Sequence, residues 1–213
     1  MKYPLSICCP KCGKPSTRRM HVRDDAPGRF DCPQCGHCHE GFFGLDVTVG
    51  VKILWRGQYE VLVEQDYDMA IVLAAVAMDS EMSFLYRKWR MIEVGLRGDH
   101  VSEDRIQDEL RRFGVVARKI EKVSALLVVG GIERFVADWP AWRARLAEGC
   151  PSSGAVSVVE KFERGLFWPR NRVLHEGYCR HSRADALRCC ELSQLGIWVF
   201  KEMDRAKLRT MGI

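Results

Sequence analysis

The pentapeptide CPKCG at residues 9–13 recurs as CPQCG at residues 32–36, with nineteen residues between Cys12 and Cys32. Two residues between cysteines let one tight turn aim both sulfurs at a single ion, and the glycine that follows permits a backbone twist that carries N–H groups toward the thiolates. Two such turns close a tetrahedral shell of four sulfurs with no open coordination position, which is the pattern of a structural metal site. Six of the ten cysteines fall in the first 38 residues: Cys8, Cys9, Cys12, Cys32, Cys35 and Cys38. The others, Cys150, Cys179, Cys189 and Cys190, form no knuckle of this spacing. No apolar run of signal-peptide length precedes Cys8, so the expected compartment is the cytoplasm, where thiols bind metals or lie buried. The symmetrical set Cys9, Cys12, Cys32 and Cys35 is the expected ligand set for one structural zinc. Cys8, Cys38, His37 and His39 flank that set and remain alternative ligands.

This pattern resembles a zinc ribbon, and the resemblance covers residues 1–45. A module of that size has too little core to fold alone, so the metal would supply much of its folding energy. Between the knuckles, STRRMHVR suggests a strand, DDAPG a turn and RFD a return strand. Arg18, Arg19, His21, Arg23 and Arg29 load this segment with positive charge. Nucleic acid, a protein partner and a purely structural role are all compatible with it.

Beyond the ribbon, GFFGLDVTVGVKILW (41–55) is rich in β-branched residues and partly alternating, which predicts one or two connecting strands, with RGQY (56–59) as a turn. These residues, 46–59, are expected to form a β connector. The period then changes. Residues 65–90 contain no proline or glycine, and Ala75, Met78, Met82 and Leu85 share one helical face within a segment that is apolar all round, as in a buried helix. Asp79 interrupts that segment; periodicity alone puts it at an exposed edge, since an unpartnered buried carboxylate is costly. Ser102 predicts an N-cap, and Ile106, Leu110, Phe113, Ala117, Ile120, Ser124 and Leu127 read as one amphipathic helix with a solvated charged face. Shorter helical pieces follow around Pro140 and over 152–167. A long last helix begins at Ser182, with Asp185 placed for a capping box and Leu192, Leu195, Val199 and Met203 facing inward. The fold expected is mainly α, a helical bundle over 60–213 preceded by the small β module. No run of eighteen apolar residues is present, so no membrane span is expected. A net charge of +5 is a weak pull toward polyanions.

WPRNRVLHEGY (168–178) sets Arg170, Asn171 and His175 within six residues. Pro169 favours a helix start, so Arg170 and Asn171 are expected in the first turn, beside exposed N–H groups and a partial positive charge. Asn171 and His175 are four residues apart and share a face. A guanidinium fork, an amide, a titratable imidazole and a helix end are the parts needed to hold a phosphate and move a proton beside it.

The stretch resembles the signature of the HEPN superfamily: an arginine, usually with a polar residue next to it, separated by four to six residues from a histidine, here Arg170, Asn171 and His175, with a glycine soon after. The motif opens a late helix followed by one more long helix, as in that family, and AAVAMDSEM is similar to the acidic residue the family carries within an early apolar helix, with Asp79 the first candidate and Glu81 the reserve. The resemblance covers residues 60–213. It implies a homodimer in which two arginine–histidine pairs face one cleft, and a metal-independent ribonuclease that activates the ribose 2′-hydroxyl and leaves a cyclic phosphate. It implies RNA as substrate and a toxin or antiviral effector as the role, with an inhibitor or defence-system protein as a further partner. Gly177 stands where some members carry a regulatory tyrosine, and Tyr178 follows it, which sets that control apart. Two rival readings are a non-catalytic HEPN scaffold that binds nucleotides, RNA or protein, and a zinc-ribbon DNA-binding factor. The helical part offers no helix-turn-helix spacing with a basic recognition helix to support the latter.

Overall fold

The computed structural model describes residues 2–8, 15–21, 29–31, 35–36, 38–40, 48–139, 143, 146, 157–177 and 180–212, the strands by their backbone alone. Cys9, Cys12, Cys32, His37, Pro140 and Tyr178 lie outside these residues.

Two short antiparallel ladders occupy the N-terminal module. Strand β1 (Lys2–Cys8) pairs with β2 (Pro15–His21), from Lys2 opposite His21 to Cys8 opposite Pro15. Strand β3 (Arg29–Asp31) pairs with β4 (Cys38–Glu40). The expected hairpin of residues 16–23 with RFD is therefore not formed: each strand pairs across its own knuckle.

The helical part begins earlier than expected. Residues 49–59, read from sequence as strand and turn, form helix α1 (Val49–Tyr59). Thr48 supplies the N-cap, accepting from the Val51 N–H, and its hydroxyl donates to Glu81. Tertiary packing overrides the β-branched composition here. Gly50 and Gly57 are one heptad apart and let α1 lie against the next long helix: a Cβ on Gly50 would come within 2.6 Å of the Ala77 carbonyl oxygen, and one on Gly57 within 3.3 Å of the Ala70 carbonyl oxygen. A π-turn (Glu60–Glu64) ends at Gln65 in the left-handed region, and Asp66 caps α2 (Tyr67–Leu96) by accepting from the Met69 N–H at 2.9 Å.

Helix α2 is the centre of the bundle. Ala70, Ile71, Ala74, Ala77, Met78 and Met82 are among its fully buried positions. By length and composition it is apolar enough to cross a membrane, although it holds no unbroken run of eighteen apolar residues; one face packs in the core, while Met69, Phe84, Met91 and Leu96 are exposed. Packed against both α2 and α1 runs the last helix, α8 (Arg183–Thr210), opened by the predicted capping box of Ser182 and Asp185. Ser193 Oγ donates to the Ala74 carbonyl at 2.6 Å, and Gly196 sits against Met78 and Phe162. Leu192, Leu195, Val199 and Met203 are buried as their spacing predicts.

The single amphipathic helix expected over 102–128 is two. Helix α3 (Glu103–Arg112) starts at the predicted cap Ser102, and α4 (Val116–Leu127) follows a turn at Phe113–Val115. Gly114 takes φ +69°, which terminates α3 and redirects the chain. Apolar spacing continues across this glycine because both helices bury one face against the same neighbours. Helix α5 (Gly131–Ala137) and α6 (Val158–Phe162) lie on the side of the bundle, and α7 (Trp168–Glu176) runs against α2 at its surface.

Replacing Gly50 by Ala should cost about 1–3 kcal/mol of stability, because the added methyl meets a backbone oxygen that cannot move aside. Gly196→Ala should cost less, because the nearest atom is the flexible Met78 sulfur. Urea unfolding of both variants checks this; equal stability of Gly50→Ala and wild type would rule out the close approach of α1.

Candidate active site

Pro169 shapes the site through what it removes. It has no N–H to offer the Gly165 carbonyl four residues back, and its ring crowds that oxygen. The chain responds with a π-turn (Glu163–Phe167), in which the Trp168 N–H reaches the Glu163 carbonyl instead. The Cys189 thiol of α8 donates to the stranded Gly165 oxygen at 3.4 Å. The helical path thus continues without a break from α6 through the π-turn into α7, and Phe167 keeps helical torsions, φ −84° and ψ −33°. This corrects one expectation: Pro169 does not open a free helix end, so Arg170 and Asn171 have no exposed N-terminal N–H groups beside them. Their polarity comes from their own side chains.

No residue of α7 is buried. Arg170 is half-buried, while Asn171 and His175 are exposed. Arg170 Nη1 donates to Asn171 Oδ1 at 2.8 Å, which holds the guanidinium and amide as a unit. Trp168, Asn171 and His175 run along one stripe of the helix. Gly177, at φ +61°, ends it, its N–H returning to the Arg172 carbonyl.

Below this stripe lies a cavity of about 440 Å³, and Arg170 and Asn171 are in its wall together with Asp79. His175 is not: it stands one turn further along, beyond the lining residues. Asp79 and Glu81, the two carboxylates of the early apolar helix, part company here. Asp79 is half-exposed toward the cavity. Glu81 is buried toward α1, where Thr48 donates to it and Gly50 packs against it.

Lys119 joins the site although no motif in the sequence marks it as a functional residue. The charged face of the 116–127 segment was expected to be solvated, yet the Lys119 side chain is only 12% exposed. Its ammonium donates to Asp79 Oδ1 at 2.7 Å, to Ser83 Oγ at 2.7 Å and to the Asp79 carbonyl at 3.4 Å. Lys119 lies three residues after Val116 and four before Val123, on the flank of the apolar stripe, a signal available in the sequence. Arg111, Glu163 and Trp168 also line the cavity, and the Phe113–Val116 turn forms another side. That turn exists because Gly114 breaks the helix. Arg164 lies over the Trp168 ring at 5.6 Å.

Helix α3, which carries the Arg111 side of the cavity, is fastened to α2 chiefly through Glu109, and Arg87 of α2 adds bonds to Gln107 and Glu103. Glu109 accepts from Tyr86 at 2.9 Å and from Arg90 through two nitrogens at 3.0 and 3.2 Å. Hydrogen bonding to Arg90 holds the Glu109 carboxyl below the usual carboxylate range, while burial, with help from Glu109, pushes the Tyr86 hydroxyl up to about 12. The Tyr86 ring meets Phe113 edge-on at 5.1 Å, so the clamp also fixes the turn.

Burial pushes the Cys189 and Cys190 thiols up to about 12, which keeps them protonated and poor as metal ligands or nucleophiles near neutral pH. Among the described residues, no group of three or more His, Cys, Asp or Glu side chains is arranged to hold a metal ion. Of the four expected zinc ligands only Cys35 is among the described residues, and it is exposed. Compared with models of known protein families, with curated proteins and with solved structures, the chain matches none.

The depressed carboxyl of Glu109 fixes the sign of a pH effect: its contribution is present above the ordinary carboxylate range and is lost as pH falls through the lower folded value. Glu109→Gln should therefore be less stable than wild type by about 1–3 kcal/mol at neutral pH. That gap should narrow as pH is taken well below the ordinary carboxylate range of about 4, as wild-type Glu109 also gains its proton. Urea unfolding at neutral and at acid pH measures it; a gap independent of pH would exclude the ionic clamp.

Proposed function

We propose that the chain is a metal-independent endoribonuclease of the HEPN type, acting as a toxin or antiviral effector in the cytoplasm, with a zinc ribbon as its recognition module. The observation that carries this reading is the Arg170–Asn171 unit in the wall of a polar cavity, with His175 next on the same helical stripe. Arg170 holds the scissile phosphate and offsets the charge that grows on it. Asn171 orients the guanidinium. The His175 imidazole takes the proton of the neighbouring ribose 2′-hydroxyl; that oxygen bonds to phosphorus, the bond from phosphorus to the 5′-oxygen breaks, and the leaving oxygen regains a proton. The products are a 2′,3′-cyclic phosphate and a 5′-hydroxyl. Because the nucleophile belongs to the substrate, few protein groups suffice, and DNA is not cleaved.

A second copy of the chain completes the site in this reading. Helix α7 buries none of its residues and exposes Trp168 and Leu174, which favours a partner surface there. One zinc bound by Cys9, Cys12, Cys32 and Cys35 closes the ribbon and takes no part in the chemistry. Its support is the pairing of β1 with β2 and of β3 with β4, which puts each knuckle in the connection of its own hairpin.

Purified full-length protein should cleave a mixed cellular RNA pool in the presence of EDTA and leave 2′,3′-cyclic phosphate ends. His175→Ala and Arg170→Ala should each slow cleavage by about a hundredfold or more, with circular dichroism unchanged. Intact RNA with folded wild type, or equal rates in the variants, would favour the scaffold reading. Elemental analysis should find one zinc per chain, lost in Cys12→Ser and Cys32→Ser; full occupancy in both variants would exclude the four-cysteine site.

A further inference from the structure

The cavity beside Arg170 is built to do more than border a phosphate site. Its walls are of two kinds. Val76, Leu110, Phe113 and Phe167 supply apolar surface, and Phe113 is set by its edge contact with Tyr86. Asp79 and Lys119 supply an ion pair across α2 and α4. A volume of about 440 Å³ lies within the range of small-ligand pockets, enough for a flat heterocycle and its sugar.

The ion pair is asymmetric. The Lys119 ammonium spends its three donors on Asp79 Oδ1, Ser83 Oγ and the Asp79 carbonyl, and Ser83 Oγ in turn donates to that same carbonyl at 2.9 Å. Lysine and serine together therefore fix the carboxylate. No other hydrogen bond to the Asp79 carboxylate forms among the described residues, and its side chain is 47% exposed. Lys119 takes one lone pair of Oδ1 and Oδ2 has no partner among the described residues, so both oxygens can still accept a hydrogen bond at the cavity. An ionised carboxylate only accepts, so its partner must present N–H or O–H groups.

We propose that this cavity is a nucleobase pocket selective for guanine, and that Asp79 is its specificity-determining residue. The proposal rests on the ribonuclease reading for its place beside Arg170, and names the RNA substrate as one with guanine next to the cleaved phosphate. Guanine carries two neighbouring N–H donors, at N1 and N2, on one edge, and a fixed carboxylate takes both. Adenine and cytosine present an amino group beside a ring nitrogen lone pair, which repels the second oxygen. Uracil presents a single N–H between two carbonyls. A base seated over Asp79 takes the carboxylate out of water, and a base that cannot then satisfy it is rejected more strongly than an apolar slot rejects a wrong shape. The apolar walls take the faces of the ring, and Arg170 and Arg111 at the cavity receive the adjoining phosphates.

The test uses full-length His175→Ala protein, which cannot cleave in the proposed mechanism and whose substitution lies outside the cavity lining. Calorimetric titration with the 5′-monophosphates of guanosine, adenosine, cytidine and uridine should show guanosine bound about tenfold or more tightly than the others. Adding Asp79→Asn should remove that preference, since the amide puts a donor where an acceptor stood. Val115→Trp, at a 58% exposed position of the cavity rim, should weaken all four ligands alike without disturbing the fold. Equal affinity for the four, no binding of any, or a preference that survives Asp79→Asn would overturn the proposal. In parallel, wild-type protein is given RNA oligonucleotides with one guanine each. Cleavage without regard to base, with no guanosine preference in the titration, removes the pocket and leaves the nuclease. Selective guanosine binding with intact RNA keeps the pocket and removes the nuclease.

Discussion

The close approach of other helices to the backbone of α2 is the constraint on which the rest of the bundle depends. Gly50 and Gly57 bring α1 against the Ala77 and Ala70 carbonyls, and on the adjoining face Ser193 bonds to the Ala74 carbonyl while Gly196 receives Met78. Alanines along α2 keep the spacing short on both faces. Dispersion contacts and one buried hydrogen bond then act between near-touching backbones, where small shape changes are costly. With α1 and α8 fixed in this way, the remaining face of α2, which carries Asp79, is turned toward α4 and the π-turn before α7.

On that face, three local breaks in helical regularity combine. Gly114 ends α3 and makes the turn that forms one side of the cavity. Pro169 forces the π-turn before α7 and hands the Gly165 carbonyl to Cys189. Lys119 leaves the solvated face it would otherwise occupy and satisfies Asp79 and Ser83. Each is a small departure, and without any one of them the polar groups would stand apart. Helices interrupted by π-turns and glycines near polar clefts are a recurrent way to aim side chains that a straight helix would misdirect.

Much of the bundle was legible in the chain. The caps at Ser102 and Ser182, the capping partner Asp185 and the inward set Leu192, Leu195, Val199 and Met203 follow local rules that need no neighbour. Helix α1 was not, because Thr-Val-Gly-Val-Lys-Ile-Leu-Trp has a strand-like composition and only the surface of α2 makes its glycines favourable. The split at Gly114 was written in the sequence but masked, since apolar spacing carries across it. The partner of β2 is not legible in the chain, because pairing with β1 and pairing with β3 both suit the strand pattern.

For the candidate site, the sequence by itself determined which groups are present: Arg170, Asn171 and His175 on one short helix, and two carboxylates in an apolar run. Covalent order and helical period fix such neighbours within a turn or two. Only the tertiary structure decided that Asp79 and not Glu81 faces the cavity with Arg170, that Lys119 holds it there, and that the start of α7 is no open helix end. Those outcomes depend on contacts between residues tens of positions apart, and on which side of α2 each neighbour takes. A one-dimensional pattern carries the period of a helix, and the packing of its neighbours decides which of its faces meets solvent, a cavity or the core.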